Sequence, residues 1–303
     1  MRLFALPVLA LAFSTAASAD VLWRGDYETG DLSQWAHIDG RPDRLTVVQS
    51  PVRQGKYALR VELHQGDFSS SGTRNEVENS SSQWNEVEGN DKWYAWSTMF
   101  PSDFPAPNTW QVFTQWHHSG CCGSPPVEFD VYGETIQLAH KGSTILWNTP
   151  LVRGVWHDFV VHVHWSSTSG FVDLYYDGTK VLDHKPVQTL NPGEYTYMKQ
   201  GLYRDASISP VAVVYHDGMV MGTSLADVAP ALAAPQPPPA PPGGGTDLPD
   251  GGTSVDPTDG GIAVKGSSMD QIPSGGCAHG SGNALSVIGV LAGALFVLRR
   301  RRR

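Results

Sequence analysis

Three short stretches, Arg74-Asn75-Glu76, Gln115-Trp116-His117 and Tyr197-Met198-Lys199-Gln200-Gly201-Leu202-Tyr203, place polar groups on alternate residues. In a β-strand alternate side chains share one face. Arg74 with Glu76, Gln115 with His117, and Tyr197 with Lys199 and Tyr203 are therefore expected on one side of a sheet. Val77, Trp116, Met198 and Leu202 would point the other way, into a core. A guanidinium and an amide can neutralise a carboxylate. An imidazole and a phenol can take up and return a proton. Together they make a kit for removing a proton next to a carboxylate. Taken singly, each pair is an ordinary strand face, and Arg74 with Glu76 a surface ion pair of small value; their joint occurrence in one β-domain is what points to chemistry.

Strands must position these groups, and the chain reads as strands almost throughout. Trp156 to Trp165 alternates, with Phe159, Val161, Val163 and Trp165 on one face and Val160, His162 and His164 on the other. Phe171 to Tyr176 is followed by Asp177-Gly178 and Lys180-Val181-Leu182, a hairpin signal. Tyr57–Leu63, Trp93–Phe100, Trp110–His117, Val127–Tyr132, Thr135–His140 and Pro210–His216 are further strand candidates. Long helical periodicity is absent. The pattern predicts an all-β fold, a jelly-roll sandwich of two antiparallel sheets of the concanavalin-like kind. Among the ten tryptophans and ten tyrosines most are core, and Trp93, Tyr94, Trp96 and Trp147 are candidates to stack on sugar rings.

The ends read differently. Arg2, an apolar run from Leu3 to Phe13 and Ala17-Ser18-Ala19 form a secretory signal over residues 1–19. Residues 230–275 are a Pro/Gly-rich linker, including Pro237-Pro238-Pro239 and Gly243-Gly244-Gly245. Residues 276–303 carry Cys277, an apolar run from Ala284 to Leu298 and five arginines, Arg299 to Arg303. That order resembles the MYXO-CTERM class of sorting tails, which implies contact with membrane and cell-surface sorting machinery; a simple membrane anchor is the alternative. Both readings put the 20–229 domain outside the cytoplasm, exported to the outer surface or beyond. The domain carries 14 Lys and Arg against 25 Asp and Glu, a net of −11. That balance argues against a nucleic-acid partner, and any anionic ligand must be held by a local basic cleft. Three cysteines are no disulfide framework; the adjacent Cys121 and Cys122 can pair or stay reduced.

Arg-x-Glu, Gln-x-His and Tyr-x-Lys-x-Gly-x-Tyr, in this order, resemble the signature strands of jelly-roll polysaccharide lyases, including the alginate lyases of family 7. Tyr94-Ala95-Trp96, Gln115-Trp116-His117, Gly154-Val155-Trp156-His157-Asp158 and Gly201-Leu202-Tyr203-Arg204 are closer in wording to the glucuronan lyase and heparin lyase I-like group. Two departures from family 7 weaken an alginate reading more than the lyase class: the acidic Glu78 after the first motif, and Asp205 after the last. The resemblance implies β-elimination in a uronic-acid polysaccharide, glucuronan-like by preference. His117, Tyr203, Gln115 and Arg74 would be catalytic, and Glu76, Lys199, Tyr197, Arg204 and Trp147 substrate-binding. It also implies a structural calcium held by Glu28 and Asp217 near the terminal strands, no catalytic cofactor, and action as a monomer. Two rivals stand beside it. Glu128-Phe129-Asp130 with Glu134 is similar to the acidic strand of laminarinase-like glycosidases, with one residue too many. A surface lectin that only holds a glycan would use the same architecture. His162 and His164 have metal-compatible spacing but lack a third ligand.

Overall fold

The computed structural model describes residues 21–120 and 123–229. The expected signal segment, linker, sorting tail and Cys121-Cys122 pairing lie outside the described residues. Sixteen strands follow one another among them: β1 (Val21–Gly25), β2 (His37–Asp39), β3 (Leu45–Val48), β4 (Ala58–Leu63), β5 (Phe68–Ser69), β6 (Gly72–Glu78), β7 (Asp91–Met99) and β8 (Trp110–His118), then β9 (Val127–Tyr132), β10 (Thr135–His140), β11 (Thr144–Pro150), β12 (Trp156–His164), β13 (Phe171–Tyr176), β14 (Thr179–Pro186), β15 (Thr196–Arg204) and β16 (Ala212–Gly222). They form two antiparallel sheets. One runs β14-β13-β12-β7-β16-β4-β3, with β1 on β16; the other runs β11-β10-β9-β8-β15-β6-β2, with β5 on β6. The jelly-roll sandwich expected from the alternation is the fold.

The core lies between the sheets and follows the alternation closely. Val77, Trp116, Phe129, Leu138, Met198 and Leu202 enter it from one sheet, and Val61, Trp96, Phe159, Val163 and Val214 from the other. Trp96 stacks on Phe159 with ring centroids 5.1 Å apart and meets Phe129 edge-on at 5.2 Å, tying the two sheets together. Burying such side chains away from water is the main stabilising term, about 25 cal/mol per Å² of apolar surface. Among the described residues no helix is long and apolar enough to cross a membrane.

One strand runs past its expected bound, and another was not expected. β16 runs on to Gly222, past Asp217-Gly218, which reads as a turn. The pairing with β7 shifts between Asp217 and Val220, and Gly218 sits at φ 68°, so a bulge absorbs the glycine and the strand continues. β11 has no apolar period to betray it, because it is a partly exposed strand at the edge of its sheet.

Candidate active site

The site forms on the face of the second sheet turned away from the core. β15 lies between β6 and β8, and the register puts Lys199 opposite Glu78 and Tyr203 opposite Arg74 on one side, and Tyr197 opposite His117 and Lys199 opposite Gln115 on the other. Parity is kept across β15 and β6, so these side chains share one face. Gly201 stands at φ 155°, and a Cβ there would lie 2.3 Å from the Asn75 carbonyl oxygen; a glycine lets the two backbones approach between the lysine and the final tyrosine. The pairing of β15 with β8 shifts by one residue between Gln200 and Tyr203.

A cleft of about 430 Å³ opens over this floor, lined by Ile38, Asp39, the Ser69–Ser71 turn, Arg74, Glu78, His117, Tyr197 and Lys199. Glu76, almost fully buried at 1 % exposure, holds the centre. Gln115 Nε2 donates to its Oε1 at 2.6 Å, and Arg74 Nη1 donates to its Oε2 at 3.2 Å. One carboxylate thus fixes the amide and the guanidinium side by side. Gln115 keeps a second N–H on the same nitrogen, and Arg74 Nε is buried with no hydrogen-bond partner. Arg74 lines the cleft and is suited to a carboxylate that arrives with a ligand, while Gln115 lies beneath it, fully buried.

His117 is held as a neutral ring in one tautomer. Its Nδ1–H donates to the His118 carbonyl at 2.7 Å, and the Tyr197 phenol oxygen lies 3.5 Å from the same nitrogen. With the proton held on Nδ1, the Nε2 lone pair is left free in the neutral ring. Burial pushes the ring pKa down to about 4, and the Lys199, His118 and Arg74 charges push the same way, against the His118 carbonyl contact. His117 is therefore neutral at pH 7.

Tyr203 lies beyond Arg74, next to Gly72. The Arg74 guanidinium carbon lies 3.7 Å above the centre of its ring, and Trp110 meets it edge-on at 4.7 Å. A Cβ on Gly72 would come within 2.5 Å of its ring and 3.1 Å of its phenol oxygen. The missing side chain at Gly72 makes room for the phenol beside the Ser69–Ser71 turn that edges the cleft.

The sequence reading missed a second centre. Asp39, on the short strand β2, accepts from Ser69 Oγ at 2.7 Å, Ser70 Oγ at 2.8 Å and Lys199 Nζ at 2.5 Å, and lies 3.5 Å from Arg74 Nη1. Burial opposes ionisation, yet the Lys199 ammonium and the two hydroxyls outweigh it and hold the carboxyl at about 2. Its signal was faint because β2 has only three residues and no alternation to display.

Several expected site residues lie elsewhere. Trp147 faces the other way, opposite Leu138, and packs on Tyr176 of the other sheet at 5.0 Å. Arg204 has the opposite parity to Tyr203 and is buried, with Nη2 donating to the Leu63 carbonyl at 3.3 Å. Glu76 is too deeply buried to grip a sugar and instead orients Arg74 and Gln115. Trp93 stacks on His162 on the other sheet, 4.3 Å between centroids, and Tyr94 and Trp96 are core. His162 lies between Asp91 and Asp173, at 2.7 and 2.9 Å.

Of the expected calcium donors, Glu28 and Asp217 lie close enough that the Glu28 charge joins burial in pushing the Asp217 carboxyl up to about 7. Glu28 is engaged by the backbone N–H groups of Lys56 and Tyr57, and Asp217 Oδ2 by those of Arg53 and Gln54. Only Asp217 Oδ1 is left buried without a partner, and among the described residues no group of three or more His, Cys, Asp or Glu could hold a metal. The laminarinase-like set is dispersed: Glu128 and Asp130 are buried on β9, while Glu134 is exposed at a turn and paired with Arg153 at 2.7 Å.

Comparison with known proteins bears on the fold and the family. No curated protein matches the sequence. The endo-β-1,4-glucuronan lyase of the fungus Trichoderma reesei shares the fold with a TM-score of 0.55 and 18 % identity, over 66 % of this chain and 95 % of that one. The glycoside hydrolase family 131 catalytic domain of Coprinopsis cinerea follows at TM-score 0.52 and 16 % identity, over 67 % and 94 % of the two chains. The family 131 β-glucanase domain of Podospora anserina has a TM-score of 0.50 and 12 % identity, over 67 % and 96 %. At such identities these likenesses concern the fold. The family is set by sequence: residues 27–220, which contain every residue of the cleft, match the polysaccharide lyase profile, and the chain belongs to the polysaccharide lyase family.

Proposed function

We propose that this domain cleaves a uronic-acid-containing polysaccharide by β-elimination, with glucuronate as the favoured reacting sugar, and that it works at or beyond the outer cell surface after export. The observation that carries the reading is the Arg74–Glu76–Gln115 chain: one buried carboxylate holds a guanidinium and an amide side by side, under a cleft that Arg74 and a neutral imidazole line. Loss of the proton on C5 builds negative charge next to a carboxylate that is already negative. Arg74, fixed from beneath by Glu76 and Gln115, stabilises that charge as it develops, which is where fixed donors accelerate a reaction most.

The stereochemistry of the sugar divides the remaining work. In β-D-glucuronate the C5 proton and the O4 leaving group lie on one side. Tyr203, having lost its phenol proton to solvent, then removes the C5 proton as phenolate and returns it to O4, so that no net proton is consumed, and the neutral His117 hydrogen-bonds the sugar from the other side of the cleft. In an L-uronate they lie on opposite sides, and His117 takes the C5 proton while Tyr203 protonates O4. No step calls for a cofactor. Lys199 contributes positive potential at the cleft floor, and Tyr197 steadies the His117 ring.

The test is product chemistry. The protein is incubated with glucuronan, alginate, heparin and a β-glucan, and unsaturated-uronate absorbance is followed alongside reducing ends. Both signals rising together is the expected result; reducing ends alone would mean hydrolysis, and binding with neither would mean a lectin. Because His117 must be neutral to act, the acid limb of kcat/KM is expected near pH 4, well below the 6.5 of an ordinary histidine. A limb near 6.5 that vanishes in His117→Ala would show the ring to be far more solvated than the cleft makes it.

A further inference from the structure

The cations of the cleft are already engaged. Arg74 Nη1 lies 3.2 Å from Glu76 and 3.5 Å from Asp39. Lys199 Nζ lies 2.5 Å from Asp39, 3.3 Å from Glu78 and 3.7 Å from Glu76. Asp39, Glu76 and Glu78 against Arg74 and Lys199 leave one negative charge in excess, with His117 neutral. Further along the sheet Glu128 stands opposite Gln115 and Asp130 opposite Val112, so that end brings no cation to the floor. Burial, and for Glu128 also the Asp130 charge, push these carboxyls up to about 8 and about 7. The field of the whole domain has the same sign.

Such a cleft can neutralise one carboxylate, at the Arg74 corner, and little more. In a homopolyuronate every sugar carries a carboxylate, so the neighbours of the reacting residue would be brought against Asp39 and Glu78, whose own cations are spent. Hydroxyl groups of neutral sugars would be welcome at the same places, because ionised carboxylates accept their hydrogen bonds. We infer that the cleft takes an isolated uronate flanked by neutral sugars, so that its polymer carries carboxylates spaced along the chain rather than on every residue, with Glu78 as a residue that sets this preference. The inference rests on the lyase reading above and refines its substrate class.

The test compares two polymers of D-glucuronate, β-1,4-glucuronan and a polysaccharide in which neutral hexoses separate the glucuronates. Full-length protein is assayed on both by unsaturated-uronate absorbance across a salt series. At low salt, kcat/KM per glucuronate should favour the spaced polymer by about tenfold, the scale of one uncompensated like-charge contact in a partly buried site. Added salt should narrow the gap by raising the rate on glucuronan, since screening relieves repulsion. Glu78→Gln should narrow it at low salt, through KM more than kcat. Equal or faster cleavage of glucuronan, or a glucuronan rate that falls with salt, would overturn the inference while leaving the lyase reading intact. Absence of unsaturated product from both polymers would remove the lyase reading itself, and the inference with it.

Discussion

Tyr203→Phe is expected to lower kcat/KM on any cleaved uronate polymer by about a thousandfold, within the range that a positioned proton-transfer group contributes. The substitution removes one oxygen and leaves the ring. Its contacts with Arg74 at 3.7 Å and Trp110 at 4.7 Å are those of the ring, so the unfolding midpoint should barely move. The loss should appear in kcat, with KM little changed, because the phenol acts as the proton moves rather than as the sugar binds. Tyr197→Phe is the informative companion. Its phenol touches only the nitrogen of His117 that is already satisfied, so it should cost about tenfold or less. If the two variants behaved the other way round, the proton would be carried by the tyrosine beside His117.

Glu76→Ala should damage both stability and activity. The carboxylate is nearly fully buried and serves Arg74, Gln115 and, more distantly, Lys199. Removing it strands a guanidinium and an amide away from water. Breaking a buried charge pair from one side costs about 3–5 kcal/mol, which denaturant unfolding at pH 7 would register directly. The surviving fold should turn over at least about a hundredfold more slowly, since donors that lose their alignment lose most of their worth. Glu76→Gln keeps an acceptor for one partner and should fall between. An alanine variant with native stability would mean that water or Asp39 takes over the vacant contacts.

Much of this could be read from residue order alone, and the reasons are local. The alternation of β15 survives Gly201 because the pairing with β6 stays in register, so Tyr197, Lys199 and Tyr203 share a face as their spacing implies. Val77, Trp116, Met198 and Leu202 take the opposite face for the same reason. Parity also gave the warning for Arg204, one residue past Tyr203; only its charge made it look like part of the site. Trp147 could not be sorted this way, because both faces of β11 are partly exposed and an aromatic ring suits either. Asp39 and the Ser69–Ser71 turn were out of reach: they join the site through strand pairings, β2 and β5 on β6, that no short-range pattern encodes.

The setting of the cleft has a consequence for how a glycan is captured. Apart from the serine turn and the residues of β2, its polar groups ride on β6, β8 and β15, each bonded to neighbours on both sides. Groups mounted on such a ladder are already aimed before a ligand arrives, and they have little freedom left to lose. The loss of motion on forming the complex therefore falls mainly on the sugar chain, whose linkages must be frozen one after another.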